Sequence, residues 1–141
     1  MEAGDPDAPP VVLLSGGFTS SYLWRKLIPL LAPWIHVIAP DLLGSGDSDS
    51  PEGADLRLPA QTANVRSVLE ALGIQRFAVV GHGRGSGVAQ LLAIDGGVDA
   101  LVVIDAIAFD AWPSPRILDL RSHLDDVDAA LVRSWFDTFF D

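Results

Sequence analysis

Apolar and polar positions fall into two alternating kinds of block along this chain. Four short, unbroken apolar runs stand out: Val11 to Leu14, His36-Val37-Ile38-Ala39, Phe77 to Val80 and Ala100 to Ile104. The first, closed by Ser15-Gly16-Gly17, is typical of a strand buried on both faces, and the other three predict further strands. Between them the apolar positions take helical spacing. Tyr22, Trp24, Leu27, Ile28 and Leu31 predict a helix capped by Ser20 or Ser21, with Pro29 kinking or shortening it. Val65, Val68, Leu69 and Leu72 follow i, i+3, i+4, i+7, and Gly73 is placed to end that helix as its C′ residue. Val88, Leu91 and Leu92 mark a third helix. Strands alternating with helices predict βαβ units and a parallel sheet with flanking helices, an α/β fold.

The ends differ from this middle. Residues 1–10, acidic and rich in Pro, read as a disordered lead-in. After Trp112-Pro113-Ser114-Pro115 the texture changes: residues 116–141 are helical and acidic, with Val127, Leu131, Trp135 and Phe139 in one apolar stripe. There is no internal repeat and no low-complexity tract.

Composition narrows the function classes. The chain has 141 residues, 19 Asp and Glu against 9 Lys and Arg, and a formal net charge of -10. Such a balance argues against nucleic acid as a partner, because neutralising phosphates requires clustered basic residues. With no cysteine, disulfides, thiolate nucleophiles and Cys-based zinc sites are excluded together. No metal site or cofactor is expected. No apolar run reaches membrane-spanning length, and the N-terminus is neither a signal nor a transit peptide. The expectation is a cytoplasmic protein acting on a small molecule.

In open parallel sheets ligands bind beyond the carboxyl ends of the strands. That selects the loops 15–21, 40–50, 81–87 and 105–112. The most informative is Gly81-His82-Gly83-Arg84-Gly85-Ser86-Gly87, which lies between a strand and a helix. One reading is phosphate binding at a helix N-terminus. A Walker loop is excluded because no Lys-Ser or Lys-Thr follows. A dinucleotide fingerprint matches at Gly81 and Gly83 but has Ser86 in the third glycine's place, with Asp105 near the distance of a ribose ligand. A second reading is a nucleophile elbow, G-x-Nuc-x-G, in which small residues let strand and helix approach across a sharp turn. Gly81 and Gly85 meet that need, and the nucleophile position is then Gly83, which has no side chain. A third reading is a tight turn with no further role.

Three segments resemble the α/β-hydrolase superfamily, with epoxide hydrolases and haloalkane dehalogenases as the nearest groups. Val12 to Arg25 is similar to the first core strand, oxyanion loop and first helix. Val37 to Asp49 is similar to the next strand and its loop, and Val79 to Gln90 to the elbow, in matching order and spacing. The resemblance implies an α/β-hydrolase core over residues 11–113 and the start of a helical cap over 114–141. It also implies descent from hydrolases of small epoxide, haloalkane or ester substrates.

The departures from the family pattern carry their own implications. The family opens its oxyanion loop with His-Gly, where this chain has Ser15-Gly16. Since the donors are backbone N–H groups, the resemblance still assigns them to Gly17 and Arg84. The family places Asp or Ser where Gly83 stands. Loss of the nucleophile from a working triad costs roughly 10⁶ in turnover, while an oxyanion hole and binding retain about 10³ over water. Ser86, about one turn into the helix, is expected to point along another face. Asp105 matches the place where some members put the acid that orients the catalytic His, though a helix cap or turn carboxylate is an equal alternative. Trp112 is a candidate binding residue. His36, His82 and His123 match no catalytic position, and the family's His lies after the last strand, beyond residue 141. The sequence therefore reads as the N-terminal half of a larger architecture, truncated and impaired as an isolated chain. The alternatives are a non-catalytic module for an anion or small ligand and, further off, a dinucleotide-binding βαβ domain.

Family order implies a sheet running 36–39, 11–14, 77–80, 100–104. The last strand then forms an exposed apolar edge, prone to self-association.

Overall fold

The computed structural model describes residues 1–106 and Leu118. The chain divides into two compact units, Met1–Ile107 and Ala108–Asp141. The first unit holds the strands β1 (Glu2–Ala3), β2 (Pro10–Leu14), β3 (His36–Ile38), β4 (Phe77–His82) and β5 (Val98–Ile104). It also holds the helices α1 (Ile28–Leu31), α2 (Leu58–Ala71) and α3 (Arg84–Asp95), with a 3₁₀ turn over Ser21–Trp24. The sheet order is β1-β3-β2-β4-β5, parallel throughout except for β1.

Alternate residues of β2 serve opposite cores, which explains its unbroken apolar run. Val12 and Leu14 join Leu42, Val65, Leu69, Phe77, Val79, Val88 and Leu92 on the face covered by α2 and α3. Leu13 joins Trp24, Ile28, Val37 and Ala39 on the face covered by α1. Leu13, Leu69 and Leu92 are fully buried, and burying each side chain contributes roughly 1.5–3 kcal/mol. The loops leaving the carboxyl ends of β2, β3 and β4 meet, Ser21 with Asp41, Ser45 with Arg84 and Gly16 with His82.

Three local expectations are corrected. The first is the disordered lead-in. Glu2 and Ala3 pair antiparallel with Ile38 and Val37. The Met1 amino group donates to the Ala39 carbonyl at 2.8 Å, and the Met1 carbonyl accepts from the Ala39 N–H at 2.8 Å. Glu2 also meets the buried His36, Oε1 to Nε2 at 2.7 Å. Two residues are too few to show a hydrophobic period, so pairing along the β3 edge leaves no mark in the pattern. The expected four-strand sheet thereby becomes five.

The second correction is the single helix expected over 22–31. It is split into the 3₁₀ turn and the one-turn α1, because Pro29 is accommodated only in the first turn of a helix and starts a new one. The Ser20 cap holds, its Oγ accepting the Tyr22 N–H at 3.3 Å. The third correction is the start of α3, which begins at Arg84, directly after the elbow. Glycines at 83, 85 and 87 mask the helical pattern there. By contrast α2 ends as expected, with Gly73 at φ +72°.

Among the described residues, strand β5 pairs with β4 alone. Its residues Leu101, Val102, Val103 and Ile104 are 41–50% exposed, so side chains on both its faces meet solvent.

Candidate functional site

The turn from β4 into α3 is tightly built. A β-carbon on Gly85 would lie 2.5 Å from the Leu14 carbonyl oxygen and 2.6 Å from that of Ser15. These are backbone atoms that cannot swing aside, so glycine is required for the helix to start against β2. Between these close approaches Gly83 sits at φ +51°, ψ −120°, a conformation L side chains rarely adopt. Its N–H donates to the Ile104 carbonyl at 3.0 Å. Its carbonyl accepts the Ser86 N–H at 2.9 Å and the Ser86 hydroxyl at 2.6 Å. Ser86 lies in the first turn of α3, fully buried, its hydroxyl turned back onto the Gly83 carbonyl.

The loop after β2 stands beside this apex. Gly16 is buried against His82, whose Nδ1 would be 2.7 Å from a β-carbon at position 16. A β-carbon on Gly83 would meet only the Gly16 Cα, at 3.4 Å, an ordinary contact. Position 83 therefore has room for a β-carbon despite its unusual backbone. Gly17 is exposed with open space around it, and Phe18 follows at φ +60°. The Thr19 hydroxyl closes the turn by donating to the Gly16 carbonyl at 3.1 Å.

Other expected site residues distribute unevenly. Arg84 is half-buried, and its Nη2 reaches the Ser45 hydroxyl at 3.4 Å. Burial pulls its pKa down from the usual guanidinium value. Asp105 is exposed at φ +49°, directly after the residue whose carbonyl holds the Gly83 N–H. Thus Gly83, Gly16, Arg84 and Asp105 are neighbours through backbone, while His36, at the amino end of β3, is committed to Glu2 of the edge strand β1. Trp112 and His123 lie outside the described residues. No group of three His, Asp or Glu residues suited to a metal ion occurs among the described residues. No helix there is long and apolar enough to cross a membrane.

Two polar residues that sequence reasoning does not single out organise the loop after β3. Gln61 of α2 is fully buried, its Oε1 accepting the Leu43 N–H at 2.9 Å and its Nε2 donating to the Leu43 carbonyl at 2.8 Å. Asp41 accepts the Ser21 N–H on Oδ1 at 2.5 Å and the Asp47 N–H on Oδ2 at 3.0 Å. Burial raises the Asp41 pKa, but the hydrogen bonds from Ser21 and Asp47 and the nearby Met1 amino group outweigh it, leaving the carboxyl below its usual value. A fully polar residue inside the apolar period of α2 is the signal that would have revealed Gln61.

This architecture has known counterparts. The chain belongs to the alpha/beta hydrolase fold family, whose pattern it matches over residues 9–139. It is 42% identical over 117 residues to the soluble epoxide hydrolase of Corynebacterium sp. (strain C12), covering 77% of this chain and 40% of that protein. It is 38% identical over 92 residues to a haloalkane dehalogenase of Bradyrhizobium diazoefficiens, covering 65% of this chain and 29% of the relative. A crystal structure of an alpha/beta hydrolase fold protein from Burkholderia ambifaria superposes with TM-score 0.85 at 28% identity, over 99% of this chain and 52% of that one. The chain thus spans less than half the length of either curated relative.

Proposed function

We propose that this chain carries the scaffold of a hydrolase of small epoxide, haloalkane or ester substrates, and that it is catalytically impaired because the apex of its elbow is glycine. The observation that carries this reading is Gly83 itself, at φ +51° between strand and helix, facing the loop at Gly16 and lacking any atom that can form a bond to substrate.

The chemistry expected of such a scaffold defines what is lost. A carboxylate at position 83 would attack the halogen-bearing carbon of a haloalkane: a carbon–oxygen bond forms as the carbon–halogen bond breaks, and the electron pair leaves on the halide. With esters a hydroxyl there would attack the carbonyl, and the backbone N–H groups of Gly17 and Arg84 would steady the oxyanion. Asp105, following the strand that holds the Gly83 N–H, would orient a base. Loss of the nucleophile alone lowers turnover by roughly 10⁶.

The test is turnover of an epoxide, a bromoalkane and a p-nitrophenyl ester by the purified chain. The expected rates lie more than 10²-fold below the enzyme median of roughly 10 s⁻¹, and rates within that margin overturn the reading. The Gly83→Asp variant is expected to release one bromide per chain and gain one alkyl group at residue 83 by mass spectrometry, since this step needs no base.

A second reading is favoured by the room for a β-carbon at Gly83 and the half-buried Arg84 that follows it in the chain: a non-catalytic module for a small anion or ligand. It predicts no adduct in Gly83→Asp and loss of acetate or bromide binding in that variant.

A further inference from the structure

We infer that Asp41 is a positioning residue that binds the loop after β2 to the loop after β3, so that residues 15–21 and 41–49 frame the approach to Gly83 as one body. The functional consequence rests on the proposed role of residues 15–17, whereas the tie itself does not.

One carboxylate holds the backbone of both loops. Oδ1 takes the N–H of Ser21, where the segment leaving β2 turns into the 3₁₀ turn, and Oδ2 takes the N–H of Asp47, far along the loop leaving β3. The backbone carbonyl of Asp41 accepts the Ser48 hydroxyl at 2.8 Å. Asp41 therefore engages its own loop twice and the neighbouring loop once. The far side of the 41–49 loop is fastened independently, by Gln61 on Leu43. Its tip touches the helix that begins at the elbow, through Ser45 and Arg84. The linkage from the residue-21 backbone to the start of α3 is thus continuous: Ser21, Asp41, the 41–49 turn, Ser45, Arg84.

The loop is shaped for this carboxylate. Gly46 sits at φ +56°, and a β-carbon there would occupy the Asp41 carboxylate itself. No other residue type leaves that space. Carboxylate acceptors make hydrogen bonds about twice as strong as neutral ones, and a neutral side chain of the same shape offers only one acceptor oxygen for two N–H donors. The charged groups around Asp41 are the Met1 amino group from β1, Asp47 on its own loop, and Arg84 reaching Ser45 from α3. Tyr22 lines the same open cleft, whose volume is about 480 Å³.

The experiment is a pH titration and an amide-exchange measurement on the ¹⁵N-labelled chain, with Asp41→Asn and Gly46→Ala as variants. The amide signals of Ser21 and Asp47 are expected to shift together, with one common midpoint below the ordinary Asp range, and the shared transition is expected to vanish in Asp41→Asn. At neutral pH that variant is expected to lose about tenfold or more of exchange protection at Ser21 and Asp47, while Leu43, held by Gln61, stays within about twofold. Gly46→Ala, which evicts the carboxylate without removing it, is expected to reproduce the pattern. Separate midpoints for the two amides, an unchanged transition in Asp41→Asn, or equal loss at Leu43 overturns the inference. None of these readouts depends on turnover, so the catalytic proposal can fail while the tie stands, and the reverse.

Discussion

Gly81 faces Ser86 across the β4–α3 turn so closely that a β-carbon on Gly81 would lie 2.6 Å from the Ser86 Cα. Overpacking against side chains costs typically 1–3 kcal/mol, and a collision with backbone belongs at or above the top of that range. Gly81→Ala is therefore expected to destabilise the fold by about 3 kcal/mol or more. Gly17→Ala, in open space, is expected to stay within about 0.5 kcal/mol of the parent chain. Denaturant midpoints for the two variants check the contrast.

Gln61→Leu tests the buried amide clamp. The substitution strands the Leu43 N–H and carbonyl, each at about 1–3 kcal/mol if no water replaces the lost bond. Gln61→Glu keeps an acceptor for the N–H but sets a carboxylate oxygen against the carbonyl. Both are expected to lower the urea midpoint and to raise Leu43 amide exchange selectively.

Acid should weaken the start of α2. The Arg57 guanidinium and its N–H both donate to Asp55, and these bonds hold the Asp55 carboxyl at about 2, below its ordinary 3.8. A depressed folded pKa contributes stability that is fully present above the unfolded value and is lost as pH falls through the folded one. The gap in denaturant midpoint between the parent chain and Asp55→Asn is expected to be widest above about pH 5 and to close toward pH 2, following that linkage. Because the pair is fully exposed, the gap is expected to be small and to shrink with salt.

The outer edge of β5 is expected to drive concentration-dependent association. Four consecutive exposed apolar residues lie beside a ladder edge that has no partner among the described residues. Val102→Lys places a charge in the middle of that strand, a device by which natural edges avoid pairing. Sedimentation velocity is expected to show the variant monomeric at concentrations where the parent chain self-associates.

The sheet is legible in the sequence because its core strands serve two apolar layers, and double burial writes itself as an unbroken apolar run. Val12 and Leu13 face opposite ways and both must be apolar. The elbow is legible for the opposite reason: Gly81 and Gly85 are fixed by backbone crowding, which no other residue type tolerates. Strand β1 leaves no periodic signal, since two residues are held to β3 largely through backbone, with the Met1 amino group on Ala39 and the single side-chain pair Glu2–His36. Asp41 escapes notice as an organiser because a loop carboxylate bonded to distant backbone has no periodicity to betray it, whereas Gln61 is marked only by its polarity on the apolar face of α2. Pro29 suggests a kink within one helix, yet its fixed φ suits the first turn of a new one.

The left-handed backbone at residue 83 has a consequence for the direction in which this chain can change. Glycine meets that conformation at little cost, whereas any other residue there stores on the order of 1–3 kcal/mol of strain. A chain with glycine at the apex is accordingly more stable than one with a nucleophile, by an amount comparable to a sizeable share of a small domain's total stability. A mutation that places an acidic or hydroxyl side chain at residue 83 is therefore opposed by folding itself. In the hydrolase reading proposed above, reactivity and robustness therefore compete for a single residue.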